Sequence, residues 1–260
     1  MENASITGYI DVAQLVLYGF WIFFAGLIYY LRQEDKREGY PLELGPSERQ
    51  RRIRIQGFPP IPEPKTFLLP HGGTRNAPRA EPVQQVAAEP VAPWPGAPLQ
   101  PTGNPMLDAV GPAAYAHRAN DPDLTIDGEP KIVPMRVAAD FSIDEDDPDP
   151  RGMPVVGADG DVAGTVRDVW VDRSEALIRY LEVDVTLGAS GRRVLLPMTM
   201  ARVDVRGRRI LVASILAEQF ADAPHLTNVN QVTLHEEDRI CAYYASGHLY
   251  AKPSRLGPVL

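Results

Sequence analysis

Hydrophobic and polar positions change their rhythm along this chain. From Val12 to Leu31, twenty consecutive residues carry no formal charge. At ~1.5 Å per residue, a helix of that length covers the ~30 Å hydrocarbon core of a bilayer. The pattern predicts a transmembrane helix over 12–31, with residues 1–11 on one side. No Lys or Arg precedes Arg32, and Glu2 and Asp11 are acidic, which disagrees with the basic start of a secretory signal peptide. Tyr9 at one end and Tyr29 and Tyr30 at the other suit the membrane interface, where amphipathic rings are enriched. A buried helix of a soluble core rarely lacks charge for so long. Arg32, Lys36 and Arg37 follow the span, so the positive-inside rule predicts an external N-terminus and an internal remainder.

Beyond Pro130 the period shortens to two. Val155-Val156, Thr165–Asp172 and Ala176–Val185 read as strands, as do "RRVLLP" from Arg192, "ARVDV" from Ala201 and "RRILVAS" from Arg208. Five or six short strands at this spacing predict a small antiparallel barrel or rolled sheet, since closure hides sheet edges. Ile215–Asp222 and Glu236–Ala251 read as helices, the second with acids in its first turn. The fold class expected is mainly β, with one N-terminal transmembrane helix, an extended segment over 32–130 and a β domain over 131–260.

The extended segment follows from proline. Gly57–Pro105 holds 13 of the chain's 26 prolines, each of which fixes φ and removes a backbone donor. "PKTFLLPHG", Pro64–Gly72, offers Phe67, Leu68 and Leu69 no local partner and is expected to lie on another protein. Ala77–Gln100 reads as mobile.

Composition narrows the classes. Thirty-four acids against 26 bases give a net charge of -8, contrary to what a general nucleic-acid binder needs. The basic run Ser47–Gln56 is local and close to the span, where anionic lipid head groups or plain solvent would meet it. One cysteine, Cys241, excludes an intrachain disulfide and thiolate-rich metal sites. The five histidines are scattered, and "HEEDR" lacks the second His of a zinc-protease motif. No Walker loop, GxGxxG or GxSxG occurs. Carboxylates recur instead: Asp127 and Glu129 before the strands, Asp172 and Glu175 around a turn, and the run Asp144–Asp149. Taken singly, most such acids are solvated loop ends.

"FWIFFAGLIYYLRQEDKREGYPLE", "PKTFLLPHG", "PTGNPMLDAVGPAAYA", "KIVPM", "RGMPVV", "VWVD", "LLPM" and "EEDRICAYYASGHLYA" occur in this order along nearly the whole chain. Together they resemble the H subunit of the purple-bacterial photosynthetic reaction centre, a membrane-anchored PRC-barrel protein. The resemblance implies a subunit of the bacterial inner membrane with a periplasmic N-terminus. It would bind no pigment itself and cap the cytoplasmic face of the L and M subunits. Those subunits would hold the bacteriochlorophyll, bacteriopheophytin, quinones, carotenoid and non-haem iron. A cytochrome subunit, the light-harvesting 1 antenna and membrane lipids complete the expected partners.

The secondary quinone of such a complex is buried and must receive protons, so the resemblance also implies a relay. The motif "WVDxxE" transfers that role to Asp172 and Glu175, with Arg179 on the following strand and Asp127 as the surface acceptor. Where the family pattern has two histidines after the Asp-Gly, this chain reads Glu129-Pro130, and Glu129 is expected to replace them. Two other classes stay open: a membrane-tethered PRC-barrel adaptor without a photosynthetic partner, and an enzyme using Asp172 and Glu175 as an acid/base pair.

Overall fold

The computed structural model describes residues 5–7, 10–40, 57–70, 72–78, 85–94, 97–186 and 191–256. Ser47–Gln56, the basic run, lies outside them, as does Tyr9. The chain divides into two compact units, the first within residues 1–99 and the second comprising 86–89 and 100–260.

In the first unit, helix α1 (Val12–Arg37) begins where charge ends. Asp11 caps it, its Oδ1 accepting the Gln14 amide at 2.7 Å, so a carboxylate sits at the positive end of the helix dipole. Lys36 and Arg37 complement the other end. The helix runs six residues past the predicted end at Leu31, because its charged tail is tied by ion pairs. Arg37 reaches Glu34 at 3.1 Å and Arg32 reaches Asp35 at 3.4 Å. Among the described residues this is one helix long and apolar enough to cross a membrane, and its apolar side chains are exposed along its length.

Those same charges gather the following segment. The Lys36 ammonium donates to the Gly57 carbonyl at 2.7 Å and to Pro59 O, Arg37 donates to Glu63 O and Ala77 O, and Lys65 pairs with Glu34 at 2.6 Å. Lys65–Leu68 (β1) and Thr74–Ala77 (β2) then form an antiparallel hairpin, with Thr66 opposite Asn76. Phe67, Leu68 and Leu69 stay exposed on it, Leu68 at 85%. Farther on, where mobility was expected, Ala88–Pro90 and Leu99–Pro101 form short extended pieces. The Val91 amide bonds Pro98 O at 2.9 Å.

The second unit is a seven-stranded, barrel-like sheet. Its strands are β3 (Ile132–Pro134), β4 (Pro154–Val156), β5 (Val162–Asp172), β6 (Leu177–Val185), β7 (Arg193–Pro197), β8 (Ala201–Asp204) and β9 (Arg209–Val212). Their order is β7-β6-β5-β4-β9-β8. β5 is long enough to carry β4 and β3 in succession along one edge, with Pro154 opposite Thr165 and Pro134 opposite Trp170. The expected antiparallel pairing holds with one exception: β4 and β9 run parallel, Val155 opposite Ile210. Alternation of exposure, clear at the start of β5, ceases from Asp168 to Asp172, where every residue is buried. A strand covered on both faces no longer needs a polar face, and here it takes two aspartates under cover.

Trp170, Leu181, Leu195, Leu196 and Ile210 are fully buried in the sheet, with Ile215, Phe220, Ile240 and Tyr244. Each large aliphatic contributes ~1.5–3 kcal/mol of burial free energy. Helix α2 (Leu234–Tyr250) is started by a capping box, Thr233 Oγ1 accepting the Glu236 amide while Glu236 accepts the Thr233 amide. Near its end Gly247 lets the helix touch the chain after β9. A Cβ there would lie 2.5 Å from Ile215 Cγ2 and 2.6 Å from Ser214 O. The other predicted helix shrinks to a 3-10 turn at Glu218–Asp222.

Candidate functional site

Asp172 ends β5 and organises the turn into β6. Its Oδ1 accepts the amides of Ser174 at 2.9 Å and Glu175 at 3.1 Å, while its carbonyl accepts the Ala176 amide. The turn closes with Ala176 at φ 52°, a left-handed conformation uncommon outside glycine, asparagine and aspartate. With only 1% of its surface exposed, the carboxylate turns its Oδ2 to the Lys131 ammonium 3.6 Å away.

Lys131 gathers three acids. It stands just before β3, where the Arg173 amide bonds its carbonyl at 2.9 Å, so it faces the same turn. Besides Asp172, it lies 3.7 Å from Asp123 Oδ2 and 3.8 Å from Glu175 Oε1. Asp172, and after it Asp123 and Glu175, raise the proton affinity of this amine against the smaller cost of its partial burial. The four side chains form a gradient of exposure: Glu175 59%, Asp123 49%, Lys131 21% and Asp172 1%.

The loop before Lys131 carries the two other predicted acids. The Thr125 amide bonds Glu129 O at 2.8 Å and Gly128 bonds back to Thr125 O, leaving Asp127 exposed at the tip. Asp127 makes no hydrogen bond or ion pair among the described residues. Glu129 pairs with Arg173 at 3.0 Å, one residue beyond Asp172. Asp172 and Glu175 therefore meet directly at Lys131, Glu129 stands beside them and Asp127 stands apart.

Arg179 is not in this group. The register shift between Ile178 and Tyr180 turns it toward Glu237 of α2, at 3.8 Å. The same carboxylate accepts the Tyr180 hydroxyl at 3.0 Å. Burial pushes the Glu237 carboxyl up, against the hydrogen bond from Tyr180 and the charges of Arg179 and Arg118; Asp123 pushes it up further. The neighbouring Cys241 is an exposed residue whose sulfur is partly desolvated, which raises the pKa of its thiol and leaves it a poor nucleophile. Asp123 thus acts on both Lys131 and Glu237, and backbone bonds hold it there. The Leu234 and His235 amides of α2 donate to Asp121 O at 3.0 Å and Ala119 O at 3.1 Å, and Pro122 bridges to Thr233.

Sequence reasoning missed Lys131, Asp123 and Glu237. It also missed a structural ion cluster in which Arg136 meets Asp168 at 2.9 Å and Glu182 at 2.5 Å. Trp170 Nε1 donates to that Glu182 at 3.0 Å. Among the described residues no group of three or more His, Cys, Asp or Glu is placed to hold a metal ion.

Two family descriptions match the chain. One, the N-terminal region of the photosynthetic reaction centre H-chain, covers residues 4–137. The other, the PRC-barrel domain, covers residues 128–219. The chain is also 38% identical over 73 residues to an uncharacterized protein of Deinococcus radiodurans. That similarity takes in 28% of this chain and spans about a quarter (26%) of the length of that curated relative.

Proposed function

Because the chain belongs to the photosynthetic reaction centre H-chain family and carries its PRC-barrel domain, we propose that it is the non-pigment-binding subunit of a reaction centre. In this reading it caps the cytoplasmic face of the L and M subunits and conducts protons to the secondary quinone. The pigments, quinones and non-haem iron belong to those partners. Helix α1 anchors the cap in the inner membrane with its N-terminus periplasmic, as the cluster of Arg32, Lys36 and Arg37 after the apolar run favours. The exposed Phe67, Leu68 and Leu69 of β1 and its turn offer a partner an apolar ridge.

The observation that carries the relay is the exposure gradient at Lys131. A proton taken from water by Glu175 or Asp123 stands beside an ammonium that also faces the buried Asp172. Carboxylates move protons by alternating between acceptor and donor, and the Lys131 charge holds this set in one place. Glu129 supplies further acid at the surface through Arg173, and Glu237, linked electrostatically through Asp123, adds a carboxyl that burial makes a better proton holder. Arg179 sets the field at Glu237 rather than at Asp172.

Asp172→Asn tests this. Asn keeps an oxygen for the Ser174 and Glu175 amides but cannot carry a proton away. In reaction centres assembled with the variant, the second, proton-coupled electron transfer to the secondary quinone slows at least tenfold while primary charge separation keeps its rate. Unchanged kinetics would remove Asp172 from the path. Purification in mild detergent distinguishes the tethered-adaptor alternative: bacteriochlorophyll and bacteriopheophytin absorption in fixed proportion to the chain supports the reaction-centre reading, and a colourless preparation favours the adaptor.

A further inference from the structure

The chain has eight more acids than bases, yet two stretches of the second unit run the other way. The hairpin β8–β9 carries Arg202, Arg206, Arg208 and Arg209 against one acid, Asp204. No acid follows Asp238, while His248, Lys252 and Arg255 do. These stretches meet at a groove of about 590 Å³, lined by Ala158, Thr199, Arg202, Leu211, His248 and Arg255 among others, and by no Asp or Glu.

Its cations are not neutralised from within. Asp204, the one acid of the hairpin, is bonded by the Gly207 amide at 3.0 Å and by Arg209 at 2.9 Å, and it feels the Arg202 charge only as the last and weakest of these influences. Asp159, next to the lining residue Ala158, is turned to the Ala217 amide at 3.1 Å. The side chains of Arg202 and His248 are exposed and make no hydrogen bond or ion pair among the described residues. Arg255 is fixed in position: its guanidinium donates to Ser214 O, Gly247 O and Ala213 O, three bonds out of five donors. Lys252, outside the lining, donates to the carbonyl of the lining residue Ala158 at 3.0 Å.

We propose that this groove is a binding site for a phosphate group, free or carried by a lipid head group. The two guanidiniums of the lining, Arg202 and Arg255, exceed what a single carboxylate needs and match the charge of about -1.5 to -2 on a phosphate monoester. Guanidinium forks suit its oxygens, and the immobilised Arg255 loses little freedom on binding. The Thr199 hydroxyl adds a neutral donor, and Met200, Leu211 and Val212 give the site an apolar wall for the ester's carbon chain.

The full chain in a non-ionic detergent is titrated calorimetrically with inorganic phosphate and, separately, with dihexanoyl phosphatidate below its micellar concentration. The comparison is with Arg202→Gln/His248→Gln, two exposed side chains whose loss leaves the core untouched. Saturable binding that weakens at least tenfold in the double variant is expected. Equal affinity for both ligands identifies the phosphate itself as the ligand, and preference for phosphatidate identifies a lipid head group. Absence of saturable binding by either, or binding unchanged in the double variant, overturns the proposal.

Discussion

Glu236 holds the start of α2 and, through it, the segment that delivers Asp123, so its replacement by Gln probes both. The side chain is 4% exposed, with one carboxylate oxygen accepting the Thr227 amide at 2.7 Å and the other the Thr233 amide at 2.9 Å. Gln has a single acceptor oxygen, so its NH₂ must confront one of these two backbone donors. One charge-assisted bond, worth ~1.5–3 kcal/mol, is lost, and the other falls to the ~1 kcal/mol of a neutral bond. With a buried N–H left over, the cost is about 3 kcal/mol, roughly a hundredfold in the folded-to-unfolded ratio.

The pH dependence gives a second, independent signature. Burial alone would raise the Glu236 pKa, but the amides of Thr233 and Thr227 outweigh it, and the folded value lies below the ordinary 4.5. The stabilisation is therefore complete above 4.5 and lost as pH falls through the lower folded value. Glutamine does not titrate, so the two proteins converge in acid. Denaturant unfolding of the full chain in non-ionic detergent, followed by the near-ultraviolet dichroism of the buried Trp170, measures the gap from pH 7 to pH 3. A gap under 1 kcal/mol at pH 7, or one constant down to pH 3, refutes the reasoning.

Glu237→Gln has the opposite sign. The folded carboxyl is raised by burial, so the wild type loses stability as pH rises from 4.5 through the folded value. The variant is the more stable protein at pH 8, with no difference below pH 4, in the same unfolding assay. Gly247→Ala places a Cβ against Ile215 and the Ser214 carbonyl, and costs about 2 kcal/mol by thermal unfolding, with hydrogen-exchange protection falling first in the last turns of α2.

Much of this architecture can be read from local pattern, and the remainder depends on contacts between distant residues. Charge-free length announces α1 but not its last six residues, because those are held by ion pairs that the hydropathy pattern does not weigh. Period-two alternation locates β5, β6 and β7, whereas β3 has three residues, one of them Pro134, and exists because β5 has a free edge there. The Asp172–Glu175 turn is legible as a motif. Its partner Lys131 is not, since 41 positions separate it from Asp172 and the register of β3 on β5 brings them together. Arg179 was assigned to Asp172 by proximity along β6, and a register shift sends it to Glu237 instead. One signal was available: the Thr-x-x-Glu spacing of Thr233 and Glu236 marks a capping box, which dates the helix start two residues earlier than Glu236 and makes Glu237 a first-turn residue.

The parallel pairing of β4 with β9 has a consequence for biosynthesis. Val155 and Ile210 are 55 positions apart, and a parallel neighbour cannot be supplied by a tight hairpin. While the chain leaves the ribosome, β5, β6 and β7 can pair in sequence as a meander, but β4 keeps one edge open until Arg209–Val212 emerges. Only then can β8 dock on β9 and α2 seat Gly247 beside Ser214. The nascent unit therefore spends the synthesis of more than fifty residues with an unsatisfied strand edge, the state in which sheets aggregate. The short length of β4 limits that exposure to three residues.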